Sequence, residues 1–271
     1  MRRFSFHKGH GTRNDFIILD DSYGMHEMHP DFIQMVCDRH SGIGADGVIR
    51  VVRASSIRGW EGDSSLWFMD YYNADGSIAE MCGNGLRVFA RHLINEQLVD
   101  NGEFDVATRA GLRRVEVARH GLIRTTMGDA TVSDEDVTVR LGGREWPATK
   151  VDVGNPHAVV FLQDEDLDSL NLYDAPTWEP VSAFPEGVNV EFVRVDEPGK
   201  LSMRVFERGV GETQSCGTGV VATAAAYRRR AQHDGSVDVT VPGGDLTVDF
   251  DGDAARLTGP AVIIGRGEFW I

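Results

Sequence analysis

Short apolar runs alternate with polar positions along most of the chain, and Gly, Asp or Asn bounds each run. "DFIILD", "DGVIRVV", "LWFMDYY", "RRVEVA", "HAVVFL", "VNVEFVRV", "LSMRVFE", "VDVTV" and "LTVDF" have the length and β-branched content of strands. Two segments depart from this pattern. "CGNGLRVFARHLINEQ" and "CGTGVVATAAAYRRRAQ" open in a Gly-rich turn and then continue for several turns with neither Gly nor Pro, as helices do. The predicted class is therefore strand-rich α+β with few helices, not a regular β-α-β alternation. "EPGK" at 197–200 has the residues of a hairpin tip, and Cys37 lies in an apolar helical context that predicts a core position.

Aligning the two helical segments on Cys82 and Cys216 exposes a repeat. Trp67, Met69 and Tyr71 match Leu201, Met203 and Val205, both sets with the period of a half-buried strand. Asn73 and Glu207 then correspond, as do Gly83 with Gly217 and Gly85 with Gly219. Each half is a strand, a turn, Cys-Gly-x-Gly and a helix, which predicts duplication. We expect a first half over 1–122 and a second over 123–261. Their boundary lies between "LRRVEVARHG" and the acidic "VSDEDVT", and a last strand over 262–271 returns to the first half.

A length of 271 residues suits two such domains. With 27 basic and 42 acidic residues the net charge is −15, which disfavours nucleic acid and anionic membrane surfaces as partners. The basic run "YRRRAQH" suits a helix C-terminus and a solvated face. "MRRFSFHKGHG" has arginines without the apolar core of a secretory signal, and no apolar run is long enough to span a membrane. Three widely spaced cysteines make neither a disulfide framework nor a metal motif. The expectation is a cytoplasmic protein with reduced thiols and no metal.

A cysteine at the first turn of a helix sits near unsatisfied N–H groups and the positive end of the dipole, which favour thiolate. Two such cysteines, in matched halves, suit a specific task. One thiolate removes a proton from carbon while the other thiol delivers one to the opposite face, which is two-base racemisation or epimerisation. Helix N-termini then stabilise the charge that develops at the α-carboxylate. A pyridoxal route needs a Schiff-base lysine, and Lys8, Lys150 and Lys200 lie in no such segment, so a cofactor-independent route is preferred. "GIGADG" at 42–47 fits a dinucleotide fingerprint but precedes a strand instead of opening a helix, so it is read as a tight turn with Asp46 bonding to backbone.

"GTRNDFIILD", "HSGIGADG", "NADGSIAEMCGNGLRVFAR", "VGNPHAVVF", "PEGVNVEF" and "FERGVGETQSCGTG", in this order, make the chain resemble the diaminopimelate epimerases over nearly its whole length. The resemblance implies two pseudo-symmetric α/β domains, each a mixed, mostly antiparallel barrel-like sheet around a central helix, with the active site between them. It implies cofactor-free conversion of L,L-diaminopimelate to the meso isomer for lysine and peptidoglycan synthesis, by a homodimer. Cys82 and Cys216 correspond to the catalytic pair, with Cys216 the base toward the L,L substrate. His157 and Glu207 correspond to residues that adjust the thiols. Asn14, Asn73, Gly83, Asn84, Asn155, Asn189, Glu207, Arg208, Gly217 and Thr218 correspond to substrate contacts. The chemistry fits, because a distal amino-acid group calls for amides, an arginine fork and a carboxylate. Two positions depart from the family pattern: Arg13 replaces a glycine, and Gly47 replaces a glutamine that contacts substrate in some members. Four alternatives stand beside this reading, the weakest of them a non-catalytic binding module, which has no use for two activated thiols. Proline-type racemases of the same fold act on a one-ended substrate. Phenazine-type isomerases lack the thiol pair. A redox protein would use the thiols as a disulfide.

Overall fold

The computed structural model describes residues 3–163 and 165–270. The chain forms two compact units, Met1–Thr125 with Gly259–Ile271, and Thr126–Thr258. The first unit contains β1 (Arg3–Gly11), β2 (Asn14–Asp20), α1 (Pro30–Cys37), β3 (Gly47–Arg53), β4 (Trp67–Asn73), α2 (Gly83–Asn95), β5 (Glu103–Thr108), β6 (Gly111–Val117) and the start of β7 (Ile123–Asp129). The second contains β8 (Thr131–Leu141), β9 (Arg144–Asp152), β10 (Pro156–Phe161), β11 (Thr177–Glu179), β12 (Asn189–Glu197), β13 (Lys200–Glu207), β14 (Gly211–Thr213), α3 (Gly217–Ala231), β15 (Val237–Val241), β16 (Gly244–Asp251) and β17 (Ala254–Gly259). The last strand, β18 (Val262–Trp270), belongs to the first unit.

The two sheets have the same plan. In the first, β18, β1 and β2 pair antiparallel in turn, β2 runs parallel to β3, β3 antiparallel to β4, β4 parallel to β5, and β5, β6 and β7 antiparallel in turn. In the second, β8, β9 and β10 are antiparallel, β10 is parallel to β12, β12 antiparallel to β13, β13 parallel to β15, and β15, β16 and β17 antiparallel. The result is two pseudo-symmetric, mostly antiparallel sheets, each wrapped on one helix. Helix α2 buries Leu86, Val88, Phe89 and Leu93 against Phe16, Ile49, Met69 and Tyr71. Helix α3 is rich in alanine, the best helix former, and its small side chains let it lie fully buried from Val220 to Ala226. The aligned strand residues Trp67, Met69, Tyr71, Leu201, Met203 and Val205 are all buried.

Several strands escaped the apolar pattern. The acidic "VSDEDVT" forms part of β8, whose register slips between Val132 and Asp136. Those charges lie on exposed positions, so no apolar alternation marks the strand. The tip at 197–200 joins β12 to β13, with Gly199 at φ +77°. Cys37 is buried, and burial pushes its thiol up to about 12. Among the described residues, no helix is long and apolar enough to cross a membrane.

Candidate active site

Each cysteine forms the N-cap of its helix by the same device. Cys82 is extended (φ −139°, ψ 117°), and its sulfur accepts the Gly85 N–H at 3.4 Å. Cys216 is extended (φ −120°, ψ 113°), and its sulfur accepts the Gly219 N–H at 3.4 Å. A sulfur placed there satisfies one of the orphan donors of the first turn and sits at the positive end of the dipole.

In the first unit Cys82 is half-buried, and its thiol faces Asn14 Oδ1 at 3.8 Å. Asn84 Nδ2 donates to the same oxygen at 3.2 Å, and Asn14 Nδ2 donates to Asp46 Oδ2 at 2.8 Å. Behind them lies Arg87, wholly buried. It donates to Asn84 Oδ1 at 2.8 Å and to the Gly83 carbonyl at 3.1 Å, and burial brings its guanidinium down to about 10. The turn before Asn14 pairs Gly11 with Asn14 and places Thr12 and Arg13 at φ +49° and +64°. That is the left-handed pair of a two-residue hairpin, which glycine fills most easily. Here Thr12 instead sends its hydroxyl to Asn84 Oδ1, at 3.4 Å. Arg13 holds this left-handed conformation at a cost of about 1 kcal/mol. Gly47 has no room for a side chain, because a Cβ there would lie 2.5 Å from the Tyr72 carbonyl. Asn73 is level with Gly47 and bonds Ser77 Oγ at 3.0 Å. Asp46 does bond backbone, accepting from Asp15 N at 3.1 Å.

In the second unit Cys216 is buried. Its sulfur lies 3.5 Å from Thr218 Oγ1, which accepts from Asn155 Nδ2 at 3.3 Å. Asn155 Oδ1 is 3.0 Å from His157 Nε2, and His157 Nδ1 is 2.7 Å from Glu191 Oε1. His157 and Glu191 are both completely buried. Burial pushes the Cys216 thiol up, and the carboxylates of Glu207 and Glu191 push the same way, while Thr218 and the Gly219 N–H oppose them. Burial also pushes Glu191 up, against the pull of His157. Thr213 donates to Glu207. Asn189 links two segments, donating to the Pro156 carbonyl at 3.2 Å and accepting the Arg208 N–H at 2.9 Å. The Arg208 side chain is exposed, with its guanidinium 3.4 Å from the Glu186 carbonyl.

Of the predicted site residues, Asn14, Cys82, Gly83 and Asn84 form one network, and Asn155, His157, Cys216 and Thr218 another. Gly217, with no side chain, is the first residue of α3, next to Cys216. Sequence reasoning missed Glu191 and Arg87. Glu191 left a readable trace: it is the one carboxylate inside "VNVEFV", and a charge in a strand buried on both faces needs a partner. His7, Asp20 and His92 also come together, their nitrogen and oxygen atoms within 4.8 Å of one another. Strand and helix geometry creates that cluster, and sequence spacing does not reveal it. His92 Nε2 bonds Asp20 Oδ1 at 2.8 Å.

Residues 6–133 and 149–264 match the family model described as diaminopimelate epimerase. A diaminopimelate epimerase from Streptomyces coelicolor is 46% identical over 278 residues, covering 98% of this chain and 96% of that protein. One from Thermobifida fusca is 45% identical, covering 97% of each. Among solved structures, a Bacillus anthracis phenazine biosynthesis protein of the PhzF family superposes with TM-score 0.73 at 16% identity over the whole of both chains. A hydroxyproline epimerase from Agrobacterium vitis superposes with TM-score 0.69 at 17% identity, over 98% of this chain and 92% of that one. At such identities these two structures speak for the fold alone.

Proposed function

The chain belongs to the diaminopimelate epimerase family, and from that membership we infer that it interconverts L,L- and meso-diaminopimelate, an isomerase step that supplies lysine and peptidoglycan precursors. The observation that carries the mechanism is the repeated cap: two cysteines at corresponding positions, each accepting the N–H three residues on. Toward the meso product, the Cys216 thiolate takes the α-proton of the L,L substrate. The Cys82 thiol returns a proton to the other face of the same carbon. The roles exchange in reverse, so no external base is consumed. The α-carboxylate is suited to the N–H groups at the starts of α2 and α3, Gly83 and Asn84 in one, Gly217 and Thr218 in the other. These donors stabilise the charge that builds up when the α-proton leaves.

Asn14, Asn155, Asn189 and Arg208 serve the distal end of the substrate, with Glu207 for its ammonium, because a carboxylate and an ammonium there call for an arginine, a carboxylate and amides. A one-ended substrate such as proline would leave those groups unpaired, which is how the site rejects it. The same reading carries a cytoplasmic homodimer, the commonest closed assembly. Light scattering of the full chain checks the dimer, and a monomer mass counts against it.

The test is a fully reduced sample in heavy water with L,L-diaminopimelate, followed by proton NMR and chiral chromatography. Meso product carrying deuterium at one α-carbon is expected. Cys82→Ala and Cys216→Ala should each lower turnover at least about a hundredfold. Substantial epimerisation surviving either change would sink the two-thiol mechanism, and no exchange in protein with free thiols would point to a proline-type substrate.

A further inference from the structure

The two thiols share a cap but not its surroundings. Strand register makes the first unit's residues equivalent to the second's: Phe16 pairs with Gly47 as His157 pairs with Asn189. Two residues on, Ile49 corresponds to Glu191, and two residues back, Asn14 corresponds to Asn155. The first turns of the helices agree. Beside Gly85 lie Ile49 Cδ1 and Phe16 Cζ, whereas beside Gly219 lies Glu191 Oε1. One half therefore has apolar side chains where the other has a buried acid and a histidine.

The equivalent asparagines are turned in opposite directions. Asn14 gives its NH2 to Asp46 and shows its oxygen to Cys82, an acceptor for S–H. Asn155 shows its oxygen to His157 and gives its NH2 to Thr218. Thr218 accepts there, so its own hydroxyl proton is available for the Cys216 sulfur. An amide has one donor end and one acceptor end, so what it offers the sulfur is decided at its far end. In one half the far end is Asp46. In the other it is His157, whose Nε2 must carry a proton to meet an amide oxygen. That leaves Nδ1 either accepting from a protonated Glu191 or donating to its carboxylate, and in both cases the pair holds one extra proton. Glu191 Oε2 is buried without a partner, an environment that retains the proton. If the pair loses it, His157 keeps its remaining proton on Nδ1 and Nε2 becomes an acceptor. Asn155 then turns over, and each donor in the chain points away from the sulfur.

We propose that Asp46 and Glu191 are positioning residues that give the two thiols opposite protonation preferences. Asp46, through Asn14, favours Cys82 as thiol; Glu191, through His157, Asn155 and Thr218, favours Cys216 as thiolate. This rests on the two-thiol reading above, which requires an acid and a base to coexist before turnover. The titratable groups acting on Cys216 are Glu207 from β13 and Glu191 from β12, with His157 of β10 reaching it through Asn155. Both carboxylates disfavour a thiolate when ionised, so holding the Glu191 proton also removes one of them. On Cys82 the buried Arg87 guanidinium of α2 favours the thiolate, and the acceptor that Asp46 fixes through Asn14 opposes it.

The experiment is peptide-resolved alkylation of the full-length reduced chain across pH, read separately at Cys82 and Cys216. Glu191→Leu should raise the Cys216 midpoint by about one pH unit, a roughly tenfold slower reaction below it, and leave Cys82 in place. Asp46→Ala should lower the Cys82 midpoint by a similar amount and leave Cys216 in place. Glu191→Gln, whose amide can donate to His157 Nδ1, should restore most of the Cys216 midpoint. A merely structural role would shift both thiols together or neither, and either result overturns the proposal. Should Glu191→Leu not fold, the wild-type chain still decides: its imidazole 15N spectrum should show His157 protonated at Nε2 at neutral pH, and a bare Nε2 is the overturning result. These readouts need no turnover. Normal epimerisation with a bare Nε2 rejects this assignment alone; correct midpoints without epimerisation reject the functional reading alone.

Discussion

Asp15 follows directly on Asn14, and its carboxylate meets Lys8 Nζ at 2.6 Å and Arg39 at 2.6 Å. Burial alone would raise the Asp15 carboxyl, but the hydrogen bonds from Arg39 and Lys8 outweigh it and hold it at about 2, below the ordinary 3.8. Arg39 also reaches Asp46 Oδ1 at 2.8 Å, so the same guanidinium braces the group that orients Asn14. A carboxyl whose folded value is depressed contributes stability above its unfolded value and loses it as pH falls through the folded one. The window here is from about pH 4 down to about pH 2, and the amount is roughly 2 kcal/mol. Urea unfolding at pH 5 and pH 2.5 should show the wild-type chain losing stability across that interval. Asp15→Asn should lose about 2 kcal/mol less across it. An identical acid dependence in the two chains would show that Lys8 and Arg39 do not hold this carboxylate.

The first turns of α2 and α3 are near copies, yet they should respond differently to one added methyl group. A Cβ on Gly85 would meet Cys82 Cβ, Ile49 Cδ1 and Phe16 Cζ at 3.4–3.5 Å, ordinary packing distances. Gly85→Ala should therefore be neutral or stabilise by up to about 1 kcal/mol from helix propensity. A Cβ on Gly219 would lie 2.6 Å from Glu191 Oε1, an oxygen already fixed by His157. Gly219→Ala should destabilise by about 1–3 kcal/mol, as overpacking does. Thermal melts of the two variants check the contrast, and equal shifts would deny that the helix starts are differently filled. Most of this architecture was legible in the chain. Alternating runs gave the central strands, and the spacing from Asn73 to Cys82, repeated from Glu207 to Cys216, gave the duplication. The last strand was expected over 262–271 and lies there as β18, whereas β8 was hidden, because its exposed positions carry charge instead of an apolar period. The thiols and their asparagines were legible as types. Their opposite settings were not, because the direction of an amide depends on Asp46 and Glu191, which only the sheet register brings to the site.

At the scale of the whole molecule, the first unit is closed by a strand that follows the whole second unit in sequence. β18 pairs with β1 from Arg3↔Trp270 to His10↔Val262, across most of the sequence. Phe269 stacks on Phe4 with ring centroids 5.2 Å apart, and Ala261 joins the core around α2. Arg87, which fixes Asn84 beside Cys82, also reaches the Pro260 carbonyl at 3.4 Å. Contacts so distant in sequence are entropically the slowest to form, so the first half of the chain depends on residues made well after it. The second unit is contiguous, and the strand β18 pairs with β1 of the first. A chain ending at Gly259 should therefore lose its two halves unequally. Amides of β1, β2 and α2 should exchange with deuterium at least about a hundredfold faster than in the full chain, because local opening there no longer costs the pairing with β18. Amides of β10, β12 and α3 should keep their protection, and Cys216 its cap, while Cys82 loses the buried arginine network that orders its neighbours. If protection instead falls evenly in both halves, the units share one cooperative core and closure by β18 is not what holds the first. If the first half keeps its protection without β18, the sheet is held from the α2 side alone, and the Pro260 contact to Arg87 is incidental to the thiol site.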